Sequence, residues 1–254
     1  MLAIERQNII MQELETKGSI LVSVMSSQLN VTEETIRRDL EALEKKNMLR
    51  RVHGGAYIVQ NFVKEAPVSL RKNIYLEEKR RIADKCCELI DPYDSIMLDS
   101  STTALYIVKK LKTENKNVTV ITNSFDIIKE LEDVDNIRLI CIGGIMRMPS
   151  HSFTGGDALN ALKGYVADKA FISSSGIHLQ FGATDSIESE AHIRTAMLSN
   201  VSKRFFIADS SKFGRTAVNV VADFNMIDTV VTDECPSDDW VKKFLDCNIE
   251  LIIC

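Results

Sequence analysis

A chain of 254 residues, 45% apolar and 26% charged, has the composition of a globular protein with length enough for two domains and their cores. No apolar run approaches the ~18 residues of a membrane helix, and the N-terminus lacks the apolar stretch of a secretory signal, so a cytoplasmic protein without membrane partners is expected. A net charge of -5 excludes a uniformly basic nucleic-acid binder, but residues 1–56 carry eight Lys/Arg against eight Asp/Glu, so the whole deficit falls in residues 57–254.

The first predicted element is a helix over residues 3–17, with Ile10 and Leu14 on one face and a stop at Gly18. Ser19 to Val22 is short and extended. A second helix is expected from Ser23, as its N-cap, to Leu29, and Asn30 supplies the corner before Thr32 caps a third. On a wheel centred at Ile36, Leu40 and Leu43 share the buried stripe, Asp39 lies at its edge, Arg38 points away and Thr35 flanks Arg38. A helix offering Thr and Arg from its first turns suits a DNA major groove, although a plain solvated face has the same pattern. Glu33 and Glu34 sit where the helix dipole favours acids. Leu49 to Val52 and Ala56 to Val59 then read as two strands joined through His53-Gly54-Gly55, a wing with Arg50 and Arg51 at its mouth. Arg37, Arg38, Lys45, Lys46, Arg50 and Arg51 give this segment a local basic edge for phosphate contacts.

The run Arg6, Ile10, Leu14, Thr32, Thr35-Ile36-Arg37-Arg38-Asp39-Leu40 and Arg51-Val52-His53-Gly54-Gly55-Ala56 resembles the winged helix-turn-helix of DeoR-family bacterial transcriptional regulators. The expected DNA contacts are Thr32, Thr35, Arg37, Arg38, Arg50, Arg51 and His53. Arg6 faces inward from the first helix, which leads us to expect an Arg6–Asp39 pair that fixes the groove helix.

Residues 60–76, opening with Gln60-Asn61 and containing Pro67, show weak periodicity and read as a linker between a domain of residues 1–59 and one of residues 77–254. From Glu77 a helical pattern buries Ile82, Ala83, Cys86 and Ile90 and stops at Asp91-Pro92. Short apolar runs then alternate with helices, placing strands at Ser95–Leu98, Val118–Ile121, Ile137–Ile142, Lys169–Ser173, Arg204–Ala208, Thr229–Thr232 and Glu250–Ile253. Such a pattern implies a mostly parallel α/β sheet, whose ligands sit beyond the carboxyl ends of the strands. Small polar residues follow those ends, most densely in Asp99-Ser100-Ser101-Thr102-Thr103, where hydroxyls and free N–H groups at a helix start form an anion cradle that Lys212 complements. A capped helix beside a surface lysine is the plainer reading of the same residues.

This segment also resembles the DeoR family, in its sensor domain, through Asp99 to Thr103, Thr122-Asn123-Ser124, Gly143-Gly144, Asp168-Lys169-Ala170-Phe171, Gly176-Ile177 and Ser210 to Gly214. The resemblance implies a fold similar to ribose-phosphate isomerases and glucosamine-phosphate deaminases, and a phosphorylated sugar as effector. The expected effector residues are Asp99, Ser100, Ser101, Thr102, Thr103, Asn123, Gly144, Gly176 and Lys212. Ser101 departs from the family's usual Gly, and its Cβ either narrows the approach to a phosphate or adds a hydroxyl donor.

An isomerase or deaminase is the alternative, since Asp185, Glu188 and Glu190 are available as bases, but they also read as the opening turns of a helix running to Asn200. His151, His178 and His192 are weaker candidates, and a protein-docking role for the winged helix is a third reading. The six cysteines have no Cys-x-x-Cys spacing, so neither a metal site nor a disulfide frame is expected, and no cofactor is. The expectation is therefore a non-enzymatic regulator, a repressor of sugar-metabolism genes, acting on operator DNA as a homodimer or homotetramer.

Overall fold

The computed structural model describes residues 1–58 and 66–254, which divide into two compact units, Met1–Leu76 and Glu77–Cys254. The first unit contains α1 (Ala3–Lys17), β1 (Ser19–Leu21), α2 (Val22–Leu29), α3 (Glu33–Lys45), β2 (Arg50–Val52), β3 (Gly55–Tyr57) and the short α4 (Val68–Arg71). Gly18 closes α1 at φ 73°, donating its N–H to the Leu14 carbonyl, and Asn30 takes the corner after α2 at φ 49°. Thr32 caps α3 by accepting the Thr35 N–H at 3.3 Å. Ser23 is not the cap of α2: the helix begins at Val22, whose N–H donates to the Gly54 carbonyl at 2.9 Å, so the wing turn satisfies the orphan donor. Ile10, Leu14, Met25, Ile36, Leu40 and Leu43 join in one core beneath the three helices.

The wing is three-stranded, not a lone hairpin. Its order is β1-β3-β2, all antiparallel, because the extended segment after α1 pairs with β3. The two wing glycines therefore do different work. Gly54 makes the turn at φ +75°, whereas Gly55 lies in the central strand, where a Cβ would fall on the Ile20 carbonyl oxygen. The expected linker also needs correction. Residues 66–76 belong to the first unit, since Leu70 and Ile74 bury themselves with Tyr57 of β3. Their spacing matches neither a helix nor a strand, but the apolar side chains Val68, Leu70 and Ile74 within these eleven residues still seek cover. The end of the expected wing at Val59 and the opening of the expected linker at Gln60-Asn61 lie outside the described residues.

The second unit runs α5 (Leu76–Glu88), β4 (Ser95–Leu98), α6 (Thr102–Glu114), β5 (Val118–Thr122), α7 (Phe125–Glu130), β6 (Ile137–Cys141), β7 (Ile145–Arg147), β8 (Ser152–Thr154), α8 (Gly156–Leu162), β9 (Ala167–Ile172), β10 (Gly176–His178), β11 (Gly182–Asp185), α9 (Glu188–Ser199), β12 (Val201–Ile207), β13 (Asn219–Ala222), β14 (Thr229–Thr232), α10 (Asp238–Asp246) and β15 (Glu250–Ile253). All seven expected strands join one parallel sheet in the order β15-β14-β12-β9-β4-β5-β6. Ile96 and Leu98 of β4 enter one apolar layer with residues of α5, α6 and α7, while Met97 enters the other with residues of α8, α9 and α10. Burial on both faces explains why these strands read as continuous apolar runs. Two smaller features were not expected, a β7–β8 hairpin and an antiparallel β10-β11-β13 sheet, both beyond the carboxyl ends of the main strands. Among the described residues no helix is long and apolar enough to cross a membrane.

Candidate functional site

In the first unit, α3 is held from beneath by an ion pair. The Arg6 guanidinium donates through Nε to Asp39 Oδ2 and through Nη2 to Oδ1 at 3.2 Å, and Gln7 Nε2 adds a 3.3 Å bond to the same oxygen. Both charged side chains are at most a tenth exposed, and the bond to Asp39 raises the Arg6 pKa above its ordinary value. Asp39 is thereby committed to orientation, which frees the opposite face of α3. That face carries Arg38, whose side chain is 78% exposed, and Arg37; they rest on Glu34 and Glu33, one helical turn earlier. Exposed i,i+4 pairs of this kind contribute about 0.3–0.5 kcal/mol, so both arginines can exchange a carboxylate for a phosphate or a base edge at small cost. The Thr35 hydroxyl lies 2.9 Å from that of Thr32, joining the cap to the exposed face of α3.

The wing residues are placed less freely. Arg51 is bound to Glu44 by its Nε and by its backbone N–H, each at 2.8 Å, and those two donors hold the Glu44 carboxyl below its usual range. His53 stacks on Tyr75 with ring centroids 4.5 Å apart, so the wing tip is braced by the segment that follows the wing. Arg50 is exposed on β2.

In the second unit the polar strand ends converge on a buried cluster. Asp99, Ser100, Ser101, Thr102 and Thr103 are each at most 8% exposed, so this loop lies beneath the surface. Asp99 Oδ1 accepts the Ser101 N–H at 3.1 Å, and its Oδ2 accepts the Ser173 N–H at 3.3 Å and Arg194 Nε at 2.7 Å. The same guanidinium donates to Asp185 at 2.9 Å and lies 3.6 Å from Glu190. Burial works against its charge, but Asp185, Asp99 and Glu190 together raise the Arg194 pKa. Glu190 in turn accepts the hydroxyls of Ser100 at 2.9 Å, Ser150 at 2.7 Å and Ser152, while Arg147 stands 3.7 Å away. Burial alone would raise the Glu190 carboxyl; Arg194 and these hydroxyls outweigh it and hold the group below its usual range.

Ser101 stands where the family usually has glycine. Its φ is -71°, a conformation open to any residue, and its Oγ caps α6 by accepting the Ala104 N–H at 3.1 Å. Asn123 is fully buried at the end of β5, with Nδ2 donating to the Phe153 carbonyl of β8 at 2.9 Å. Gly144 and Gly176 are explained by packing: a Cβ on Gly144 would lie 2.6 Å from the Thr154 carbonyl oxygen, and one on Gly176 2.6 Å from Arg215. Lys212 ends the 3-10 turn Ser210–Lys212, whose next residue, Phe213, bridges Ile177 beside Gly176. Asp168 belongs elsewhere, accepting the Ser95 N–H and hydroxyl at the opposite, amino ends of β9 and β4.

Sequence reasoning missed Arg194 as the organiser, Glu190 as its hydroxyl-bound partner, and Arg147, Ser150 and Ser152 altogether. One signal was available. Glu190 and Arg194 are four residues apart on a helix whose neighbouring positions Ala191, Ile193 and Met197 are apolar and buried, and a charged pair on such a face must be compensated inside the fold. The hairpin serines carry no comparable pattern.

Comparisons with known proteins agree with this layout. Residues 6–62 match the DeoR-like helix-turn-helix domain and residues 75–234 the DeoR C terminal sensor domain. The chain is 37% identical over 251 residues to the uncharacterized HTH-type transcriptional regulator YulB of Bacillus subtilis, covering 99% of this chain and 96% of that one. It is 31% identical to the lactose phosphotransferase system repressor of Lactococcus lactis, covering 92% of each. A solved ribose 5-phosphate isomerase A from Methanocaldococcus jannaschii aligns with 55% of this chain and 55% of its own at 16% identity and a TM-score of 0.40. With both domains of one family matched in order, and a relative above 30% identity along essentially the whole chain, this protein belongs to the DeoR family of transcriptional regulators.

Proposed function

We propose that this chain is a repressor of sugar-metabolism genes that reads operator DNA with α3 and the wing, and that a phosphorylated sugar at the Asp99–Thr103 loop weakens that binding. The observation that carries the reading is the division of labour on α3: Asp39 is locked inward on Arg6, while Thr35 and Arg38 are left on the outer face. The assigned DNA contacts are Thr32, Thr35, Arg37, Arg38, Arg50 and Arg51; His53 sets the wing tip through Tyr75. The α6 N-terminus supports the effector assignment, because its first turn offers backbone N–H groups and hydroxyls to an anion. A relative named as a lactose phosphotransferase system repressor favours a sugar-linked role. The head is the unit Met1–Leu76 and the sensor the unit Glu77–Cys254. The protein works in the cytoplasm as a homodimer or homotetramer, matching paired half-sites.

Regulation without turnover is the favoured reading of the sensor. An isomerase base needs a pKa near its working pH, whereas Glu190 is held ionised and Asp185 is bound to Arg194. The test is a fluorescence-anisotropy titration of the full chain on duplexes from upstream of its own gene, with and without a panel of sugar phosphates, alongside turnover assays on ribose 5-phosphate and glucosamine 6-phosphate. Sequence-dependent binding released by one sugar phosphate is the expected result, and effector and DNA must lower each other's affinity by the same factor. Catalytic turnover, or DNA binding that no sugar phosphate alters, overturns the sensor assignment.

A further inference from the structure

We infer that Asn123 and Glu190 form a hydroxyl-reading subsite that recognises the polyol part of the effector, separately from the phosphate held at α6. This inference rests on the sugar-phosphate reading above and deepens it. Two observations carry it, and they meet at β8.

The first is an acceptor without a donor. Asn123 is fully buried, its Nδ2 is committed to the Phe153 carbonyl, and its Oδ1 has no hydrogen-bond partner among the described residues. The bond to a carbonyl fixes the amide's orientation, since only the nitrogen can donate there. A buried amide oxygen left unpaired costs about 1–3 kcal/mol, and what satisfies it is a donor, which a phosphate is not and a sugar hydroxyl is.

The second observation is a carboxylate bound to the same strand segment. Ser152, the residue before Phe153, donates its hydroxyl to Glu190, as do Ser150 and Ser100. Three hydroxyls from two separate places in the chain thus converge on one ionised carboxylate. This is the chemistry of a polyol site, filled here by serines. A sugar hydroxyl can replace a serine hydroxyl on Glu190 with no change in the type of bond, whereas a phosphate would meet an anion. The Asn123 backbone carbonyl accepts the Phe153 N–H and its Nδ2 donates to the Phe153 carbonyl, which ties β8 to the end of β5, while Ser152 of β8 donates its hydroxyl to Glu190 on α9.

The assignment separates the two parts of the ligand. The phosphate goes to donors, at the start of α6; the hydroxyls go to acceptors, at Asn123 and Glu190. Discrimination between sugars that share a phosphate then depends on the acceptor pair. Which hydroxyl faces Asn123 Oδ1 decides binding, because a site built to accept a hydroxyl penalises a ligand that lacks it.

The test measures dissociation constants of the full-length protein for ribose 5-phosphate, glucose 6-phosphate, fructose 6-phosphate, galactose 6-phosphate and glucosamine 6-phosphate, with ethyl phosphate as the hydroxyl-free comparator. The wild type is expected to bind one sugar phosphate at least about tenfold more tightly than ethyl phosphate. Asn123→Ala is expected to shrink that ratio roughly two- to tenfold, the loss of one neutral hydrogen bond, while ethyl phosphate binds as before. Glu190→Gln should shrink the same ratio and carries the test if Asn123→Ala does not fold. If both variants leave the ratio unchanged, or weaken sugar phosphate and ethyl phosphate alike, the subsite is refuted and the sugar-phosphate reading stands. If no sugar phosphate binds the wild type, the sensor reading falls and the subsite with it.

Discussion

Replacing Asp39 by Asn keeps the side chain's shape and removes its charge, which isolates what the buried pair contributes. The Arg6 and Asp39 side chains are 10% and 5% exposed, so solvent cannot compensate the guanidinium left behind. Removing one partner of a buried pair costs about 3–5 kcal/mol. An Asn amide still accepts one bond from Arg6, which places Asp39→Asn near the lower end, at about 3 kcal/mol. For a unit of this size that corresponds to a fall in melting temperature of roughly 12–24 °C. The single tryptophan, Trp240, lies in the sensor, so its fluorescence does not report on the head. Hydrogen exchange of the α3 amides, followed by operator titration, is the suitable assay. Protection of α3 should fall together with DNA affinity, and the double variant Arg6→Met/Asp39→Met should recover the protection without the pair. An Asp39→Asn protein with wild-type α3 protection and wild-type operator affinity would refute the argument.

Arg38→Ala should weaken binding to the cognate operator by about 1–3 kcal/mol and leave the thermal unfolding of the head within error, because its side chain is 78% exposed; unchanged operator affinity removes Arg38 from the reading face. Gly55→Ala should destabilise the wing and lower DNA affinity, since its Cβ would strike the Ile20 carbonyl; a circular-dichroism melt identical to wild type counts against the three-stranded wing. Glu190 has a lowered folded-state pKa, so its stabilising contribution is present above the unfolded value of about 4.3 and is lost as pH falls through the folded value. Urea melts of the sensor followed by Trp240 should therefore lose stability on acidification below that value in the wild type and lose less in Glu190→Gln; parallel profiles contradict the assignment. Ser101→Ala should cost the sensor about 1 kcal/mol and Ser101→Gly only a few tenths, as measured by the same melts, because the hydroxyl caps α6; equal losses would deny it that role.

Most of the fold was legible because local chemistry and burial agree. The stops at Gly18 and Asn30, the cap at Thr32 and the stripe Ile36, Leu40 and Leu43 are each decided within one or two turns of chain. Even the Arg6–Asp39 pair, 33 residues apart, could be inferred, since both residues lie at the inward edge of amphipathic helices. The seven strands were legible for the opposite reason: burial on both sheet faces leaves apolar runs with no competing pattern. The head's finer contacts were not. Ser23 has the right chemistry for a cap, but the Gly54 carbonyl reaches Val22 first, and the apolar residues of 66–76 gave no period to show that they would fold back on Tyr57.

The sequence by itself determined the two-domain order, the capped third helix with its exposed Arg38, the parallel sheet and the polar loops at its carboxyl ends, because each is set by short-range periodicity, capping and turn chemistry. Only the tertiary structure decided how those loops are used. Arg194, Asp99, Asp185 and Glu190 meet through side chains up to 95 residues apart, and Ser150 and Ser152 reach them on a hairpin whose residues carry no period. A buried charge must find its partners wherever the folded chain brings them, and that search follows packing in space, not spacing along the chain.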